Sequence, residues 1–342
     1  MSPATRTVAY VANADSHDIS VLALDGRPGE LVEVQRFECG GRVMPLAVSP
    51  DRRYLHASIR SEPHRVLSLA IDPIDGRLRT IGEAPLPASM CWVSTDRRGR
   101  FLLSAAYHDS VVAVSPIGAD GVVGPAQQVV ATEPHAHALQ VDPGNRFAFA
   151  SCLGGDLVRQ FRFDAERGRL EDNVPATWRG RPGAGPRHFV FHPVLPLLYL
   201  LNELDASLDV LSFDAARGHL AAGQTASALP PGVTVDEPWA ADLHLRPDGR
   251  FLYASERRSS TIAVFAVDAG TGRLTSRGST PTEAEPRGFA VSPDGRFLVA
   301  VGQASHRLSR YGIDAASGVL SKLGDQAVGQ NPNWVEIVDL PA

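Results

Sequence analysis

A chain of 342 residues that is 44% hydrophobic and 21% charged can bury a large core, and nothing in its composition points to disorder. A formal net charge of -5, a pI near 6.1 and the lack of any lysine or arginine block argue against nucleic acid or an anionic membrane as partner. No apolar run of signal-peptide length opens the chain and none of about 18 residues occurs anywhere, so the expectation is a soluble, cytoplasmic protein, a monomer or small homo-oligomer.

In chain order, VAYVAN near the N-terminus reads as a strand without its hairpin partner. Six hairpins follow, each an alternating strand, a turn, and an aromatic or leucine-rich strand: AVSPDRRYLHAS, VSTDRRGRFLLSA, VDPGNRFAFAS, FHPVLPLLYLL, LRPDGRFLYAS and AVSPDGRFLVAV. Their aligned positions Tyr54, Phe101, Phe147, Leu198, Phe251 and Phe297 recur every 46 to 53 residues, the spacing of four-stranded blades. A turn of the form Asp-x-x-x-Gly-x-Leu is interleaved with them, at Asp25/Gly29/Leu31, Asp72/Gly76/Leu78, Asp164/Gly168/Leu170, Asp214/Gly218/Leu220, Asp268/Gly272/Leu274 and Asp314/Gly318/Leu320. The aspartate caps the turn, the glycine takes positive φ, and the leucine restarts a strand. The closing NWVEIVDL reads as an inner strand without its partner, so the two ends are expected to complete one blade together and leave no open sheet edge. The expectation is an all-β, seven-bladed β-propeller over residues 1–342 as a single domain. The inserted loop Leu229 to Pro238 is expected to overhang the mouth of its channel.

The fullest copy of the hairpin, GAGPRHFVFHPVLPLLYLLNE from Gly183 to Glu203, puts Arg187 and His188 before its first strand and Glu203 after its second. Antiparallel strands joined by a tight turn bring those two ends together. Repeated around a ring, the position before each inner strand gives Met44, Ser89, His137, Arg187, Ala241 and Arg287. The position after each second strand gives Arg60, Tyr107, Leu153, Glu203, Arg257 and Gln303. Four arginines, one histidine and one glutamate at one end of a channel imply a pocket for an acidic small molecule.

Each residue also has a structural reading. Glu203 can be an ion-pair partner of Arg187 or Arg257, His137 and His135 can bond to backbone, and Arg60 can line a solvated rim. Tyr107 and Gln303 can be packing residues, and Trp92, Trp178, Trp239 and Trp334 read as blade packing. No nucleophile elbow, His-Glu-x-x-His, phosphate-binding loop or dinucleotide fingerprint occurs in a fitting context. Cys39, Cys91 and Cys152 fit buried reduced thiols, and the single ring glutamate argues against a cation cage, so no metal and no cofactor are expected.

GAGPRHFVFHP, LNELDASLDV, WAADLHLRPDGRFLYASERRSSTIAVF, PRGFAVSPDGRFLVAVGQASHRLSRY and VGQNPNW resemble, from about Val8 to Trp334, the seven-bladed lactonase family, most closely its bacterial cycloisomerase-type 6-phosphogluconolactonases. The resemblance implies metal-free hydrolysis of 6-phosphoglucono-1,5-lactone, a step of the pentose phosphate pathway. The family also includes a fungal propeller that cyclises carboxymuconate to a lactone, whose proposed site residues correspond to His137, Arg187, Glu203 and Arg257. Those four are the catalytic candidates, with Arg60, Tyr107, His188, Arg287 and Gln303 as substrate-binding candidates. The sequence PHAHAL and the Arg257/Arg258 doublet depart from the pattern. Either Glu203 or His137 would activate water. Another lactone, the reverse lactonising reaction, or a noncatalytic binding scaffold remain alternatives at this stage.

Overall fold

A computed structural model describes residues 6–24 and 30–341. They form seven four-stranded antiparallel sheets. The first strands, Val43–Val48, Met90–Thr95, Ala136–Val141, Pro186–Phe191, Ala240–Leu245, Pro286–Val291 and Pro332–Asp339, each pack against the next and return to the start, so they wall a central channel as the inner strands of seven propeller blades. In the seventh sheet Pro332–Asp339 pairs with Thr7–Asn13, Val8 opposite Val338 and Ala12 opposite Trp334, with Asp18–Leu24 and Leu31–Glu38 outside them. The ends do complete one blade, and they do so with the C-terminal strand innermost. The only helical element among the described residues is a 3-10 turn, Leu153–Gly155, and no helix is long and apolar enough to cross a membrane.

The two repeats of the sequence are the two halves of one contact. Asp72, Asp164, Asp214, Asp268 and Asp314 each accept a hydrogen bond from the backbone N–H two residues on, at 2.8 to 3.2 Å. The turn glycine then presses on the second strand of the preceding blade. At Gly168 and Gly218, with φ of 63° and 70°, a Cβ would overlap the rings of Phe101 and Phe147. Gly272 meets Leu197 in the same way, so Leu197 rather than Leu198 is the repeat position of its hairpin, displaced by the turn at Pro193 to Pro196. The turn at Asp25/Gly29 lies outside the described residues.

The core lies between blades. Phe149, Phe189, Phe191 and Phe213 join two neighbouring sheets, with ring centroids 5.2 to 6.2 Å apart in edge-to-face geometry. Each buried side chain of this kind contributes about 1.5–3 kcal/mol. Cys39, Cys91 and Cys152 are buried free thiols.

Candidate active site

All seven inner strands carry a β-bulge at the same height. Pairing slips between Val43 and Leu46, Met90 and Trp92, Ala136 and Ala138, Pro186 and His188, Ala240 and Leu243, Pro286 and Gly288, and Pro332 and Trp334. A bulge leaves one residue without a ladder partner and redirects its side chain. The residues so released are Met44 with Pro45, Cys91, His137, Arg187, Ala241 with Asp242, Arg287 and Asn333. They lie inside the strands rather than just before them, and Cys91 takes the ring position expected for Ser89, which sits in the preceding loop. The approach is built alike in several blades: the residue two before the bulge is left-handed at His135, Gly185, Glu285 and Asn331, with φ of 63°, 71°, 54° and 54°. At Gly185 a Cβ would also strike Leu204, which explains the glycine-rich lead into Arg187. Arg60, Tyr107, Leu153, Glu203, Arg257 and Gln303 each follow a second strand by one residue, as the repeat predicts.

Glu203 is the hub of the charged cluster. Its Oε2 accepts Arg187 Nε at 2.5 Å and lies 3.1 Å from Arg257 Nη2, while Oε1 accepts Trp239 Nε1 at 3.1 Å. Arg187, 1% exposed, also donates through Nη1 to the carbonyl of Ala241 and to His188 Nε2 at 3.2 Å. Arg257 donates to the carbonyls of Trp239 and Ala240, and its guanidinium lies 3.6 Å from the Trp239 ring centroid. Burial alone would raise the Glu203 carboxyl, but the charges of Arg187, Arg257 and Arg287 hold it below the ordinary range. Burial and the neighbouring arginines push Arg257 well down and Arg287 to about 10. Arg60 has only Ser89 Oγ, 2.9 Å from its Nε, and neither Arg60 nor Arg287 has a carboxylate partner among the described residues.

His137 has the opposite character. It is 3% exposed, its Nδ1 is shut off from solvent, and no described residue hydrogen-bonds to either ring nitrogen. Burial first, then Arg187, His188, Arg287 and Arg257, drive its pKa well below the usual imidazole value, so it is neutral at neutral pH. Tyr107 meets it edge-on at 5.9 Å and stacks on His135 at 4.2 Å.

Two adjoining cavities open here. The first, of about 260 Å³, is lined by Arg60, Cys91, Tyr107, His108, His137, Glu203, Trp239, Arg257 and Arg287. The second, of about 220 Å³, is lined by Ala14, Arg42, Met44, Arg60, Ser89, Arg287, Gln303, Asn331 and Asn333. They share Arg60 and Arg287. Gln303 therefore belongs to the second lobe, where it donates to Asn331 at 2.7 Å. Arg187 lines neither lobe and stands behind Glu203. Trp239, read from the sequence as packing, is a mouth residue; it follows the inserted loop and stands two residues before Ala241, where other blades have His135, Gly185, Glu285 and Asn331. Asn333 was missed because the repeat was not carried into the closing blade, where it is the bulged residue.

His188 is separated from both lobes. It lines a third cavity, at the other end of the channel, with Trp92, Trp334, Asp242, His244 and Glu336. Its Nδ1 donates to Asp242 Oδ1 at 2.8 Å, which leaves Nε2 to accept from Arg187. Burial and Arg187 push it down to about 3, against the pull of Asp242. It is a neutral strut behind Arg187.

The family model for "Lactonase, 7-bladed beta-propeller" matches residues 5–337. Proteins named 6-phosphogluconolactonase from Pectobacterium carotovorum subsp. carotovorum (strain PC1) and Pectobacterium atrosepticum are 43% and 42% identical, each alignment covering 97% of this chain and 99% of the relative. The solved structure of a Pseudomonas aeruginosa periplasmic gluconolactonase, PpgL, superposes with a TM-score of 0.90 at 30% identity, over 98% of this chain and 100% of that one. Fold, length and sequence thus agree, and the chain belongs to the lactonase family of seven-bladed β-propellers.

Proposed function

We propose that the protein hydrolyses a sugar δ-lactone, 6-phospho-D-glucono-1,5-lactone, to 6-phosphogluconate, the lactonase step of the pentose phosphate pathway. The observation that carries this reading is an unpartnered neutral imidazole, His137, on the wall of a cavity where arginines outnumber carboxylates. Names of relatives above 40% identity support the phosphorylated substrate. His137 Nε2 takes a proton from a water whose oxygen bonds to the lactone carbonyl carbon. The developing oxyanion is met by Arg257 Nη1, the arm that Glu203 and the backbone carbonyls leave unused. Collapse breaks the bond to the ring oxygen, which takes the proton back from the imidazolium, giving the open-chain acid. General-base assistance of this kind is worth on the order of 10² to 10⁴ in rate. Glu203 is a poor base because three donors, Arg187, Arg257 and Trp239, occupy its carboxylate, whereas His137 has none among the described residues. Its role is to hold Arg257 and Trp239 in place, with Arg187 as a positioning residue behind it.

A sugar phosphate dianion does not cross a bilayer unaided, so the reading goes with a cytoplasmic enzyme. The unphosphorylated lactone is the second reading, motivated by the name of the 30% identical Pseudomonas structure. A coupled assay on both lactones, run with and without exhaustive chelation, tests the proposal. Turnover that prefers the phosphorylated lactone and survives EDTA is expected. Turnover of neither lactone, or turnover lost to EDTA and restored by Ca²⁺ or Zn²⁺, rules it out.

A further inference from the structure

The two lobes of the mouth differ in electrostatics, and the difference divides the substrate. The first lobe contains Glu203, a buried carboxylate held ionised by its arginines. The second contains no aspartate or glutamate. Between them stand Arg60 and Arg287, which line both lobes and have no carboxylate partner among the described residues. Arg60 and Arg287 are half-buried cations held close together, and the Glu203 carboxylate is engaged directly by Arg187 and Arg257 rather than by them, so an anion between the two is favoured. A dianion placed in the first lobe would face the Glu203 carboxylate. Placed in the second, it meets Arg60 and Arg287, and the carboxylate behind that lobe, Asp15, is already neutralised by Arg42 at 2.7 Å. Asn333, which also lines the second lobe, is 1% exposed, and its Nδ2 donates to the Asn331 carbonyl.

Resting on the hydrolase reading above, we propose that the phosphate of the substrate is seated in the second lobe, bridging Arg60 and Arg287 beside Gln303, while the lactone ring occupies the first lobe against His137 and Arg257. Guanidinium groups suit the seat because they give paired, charge-assisted hydrogen bonds to phosphate oxygens. Selectivity for the phosphorylated lactone then resides in residues that do not touch the reacting carbon.

The seat predicts an unusual inhibition pattern. Inorganic phosphate occupies the second lobe, so it competes with the phosphorylated lactone but not with the unphosphorylated one, whose ring binds beside it. Competition against both lactones, or against neither, overturns the proposal. Two variants give a separate test: Gln303→Glu places a carboxylate in the seat, and Arg60→Gln removes one of its cations. In at least one folded variant, the ratio of kcat/KM for the phosphorylated to the unphosphorylated lactone is expected to fall by about tenfold or more, chiefly through KM. A ratio that falls by less in both overturns it. If neither lactone is turned over, the hydrolase reading fails first, and calorimetry with inorganic phosphate still decides the seat. Binding by the wild-type chain that Gln303→Glu abolishes supports the seat; no binding by the wild type, or binding unchanged in the variant, overturns it.

Discussion

The two ends of the central channel are built from the same seven strands and treat charge in opposite ways. At one mouth Arg60, Arg187, Arg257 and Arg287 gather around a single carboxylate, Glu203, and two of the four cations have no carboxylate partner among the described residues. At the other, Asp242 accepts from the imidazoles of His188 and His244 and from the backbone of Leu243 and Phe289, and Glu336 accepts from Trp334. Both carboxylates of the second arrangement have hydrogen-bond partners, whereas two guanidiniums of the first have no carboxylate partner among the described residues. A cluster of like charges is tolerated where a ligand supplies the missing half, which is why we propose the unsatisfied end as the one that binds. The satisfied end sets the geometry of the other through Asp242, His188 and Arg187. The contrast can be broken or sharpened at four points.

The largest effect is expected from the strand that both ends share. Pro332–Asp339 contributes Asn333 to the charged mouth and Trp334 and Glu336 to the opposite cavity. It is also the innermost strand of the closing blade. Deleting Asn333 to Ala342 leaves Thr7–Asn13 as a bare pairing edge facing the channel, so cooperative melting and solubility should both be lost. A truncated protein that melts sharply near the parent temperature would show that the ring does not depend on this closure.

Next is the base. His137→Asn should lower kcat by on the order of 10² to 10⁴ with the melting temperature close to that of the parent. The pH profile sharpens this. A base acts when deprotonated, and the His137 pKa lies well below its ordinary value in the free protein. On the unphosphorylated lactone, which does not itself titrate, kcat/KM should therefore stay level as pH falls to about 6.5, the ordinary imidazole value. An acid limb centred at or above that value would mean that His137 is not the group observed.

Glu203→Gln should affect stability more than chemistry. It strands two buried guanidiniums, and removing one partner of such a pair costs roughly 3 to 5 kcal/mol. The expected result is a clearly lowered melting temperature with a kcat loss smaller than that of His137→Asn. The reverse outcome, full stability and a kcat loss of 10² or more, would make Glu203 the base.

These outcomes turn on features that the sequence exposed unevenly. The propeller was legible because its structural devices recur in linear order: a capping aspartate, a glycine with no room for a Cβ, and the aromatic beneath it. The ring positions were legible for the same reason. A bulge at the same height in every blade preserves the phase of the repeat even though it moves the residue into the strand. Direction and depth were not legible. His188 is one residue further along an inner strand than Arg187, and that step of about 3.3 Å carries it from the charged mouth to the opposite cavity. Neither did phase show that Arg187 would be covered by Glu203, since that follows from which side chains reach each other. Trp239 stands at the repeat position of His135, Gly185, Glu285 and Asn331, two residues before the bulge, to which the alignment of ring positions did not extend.

The smallest expected effect lies at the satisfied end and has a definite sign. Burial raises Glu336 to about 7, against the Trp334 hydrogen bond and the His244 charge, with Asp242 adding to the rise. An unfolded glutamate titrates near about 4.3, so the folded chain holds this proton more tightly than the unfolded one. Its contribution to stability is fully present below that unfolded value and is lost as pH rises through about 7. Glu336→Gln fixes the side chain in its neutral form and keeps an acceptor for Trp334 Nε1, 2.9 Å away. The variant should therefore melt at nearly the parent temperature at about pH 5 and above it at about pH 8, where the parent must bury a carboxylate. His244, whose pKa the Asp242 carboxylate raises against the effect of burial, is present in both proteins, so its own titration largely cancels from the difference. A melting difference independent of pH would mean that Glu336 does not hold its proton in the folded state. A loss of kcat with stability intact would be more consequential, because it would make the opposite cavity part of the catalytic machinery and remove the contrast between the two ends.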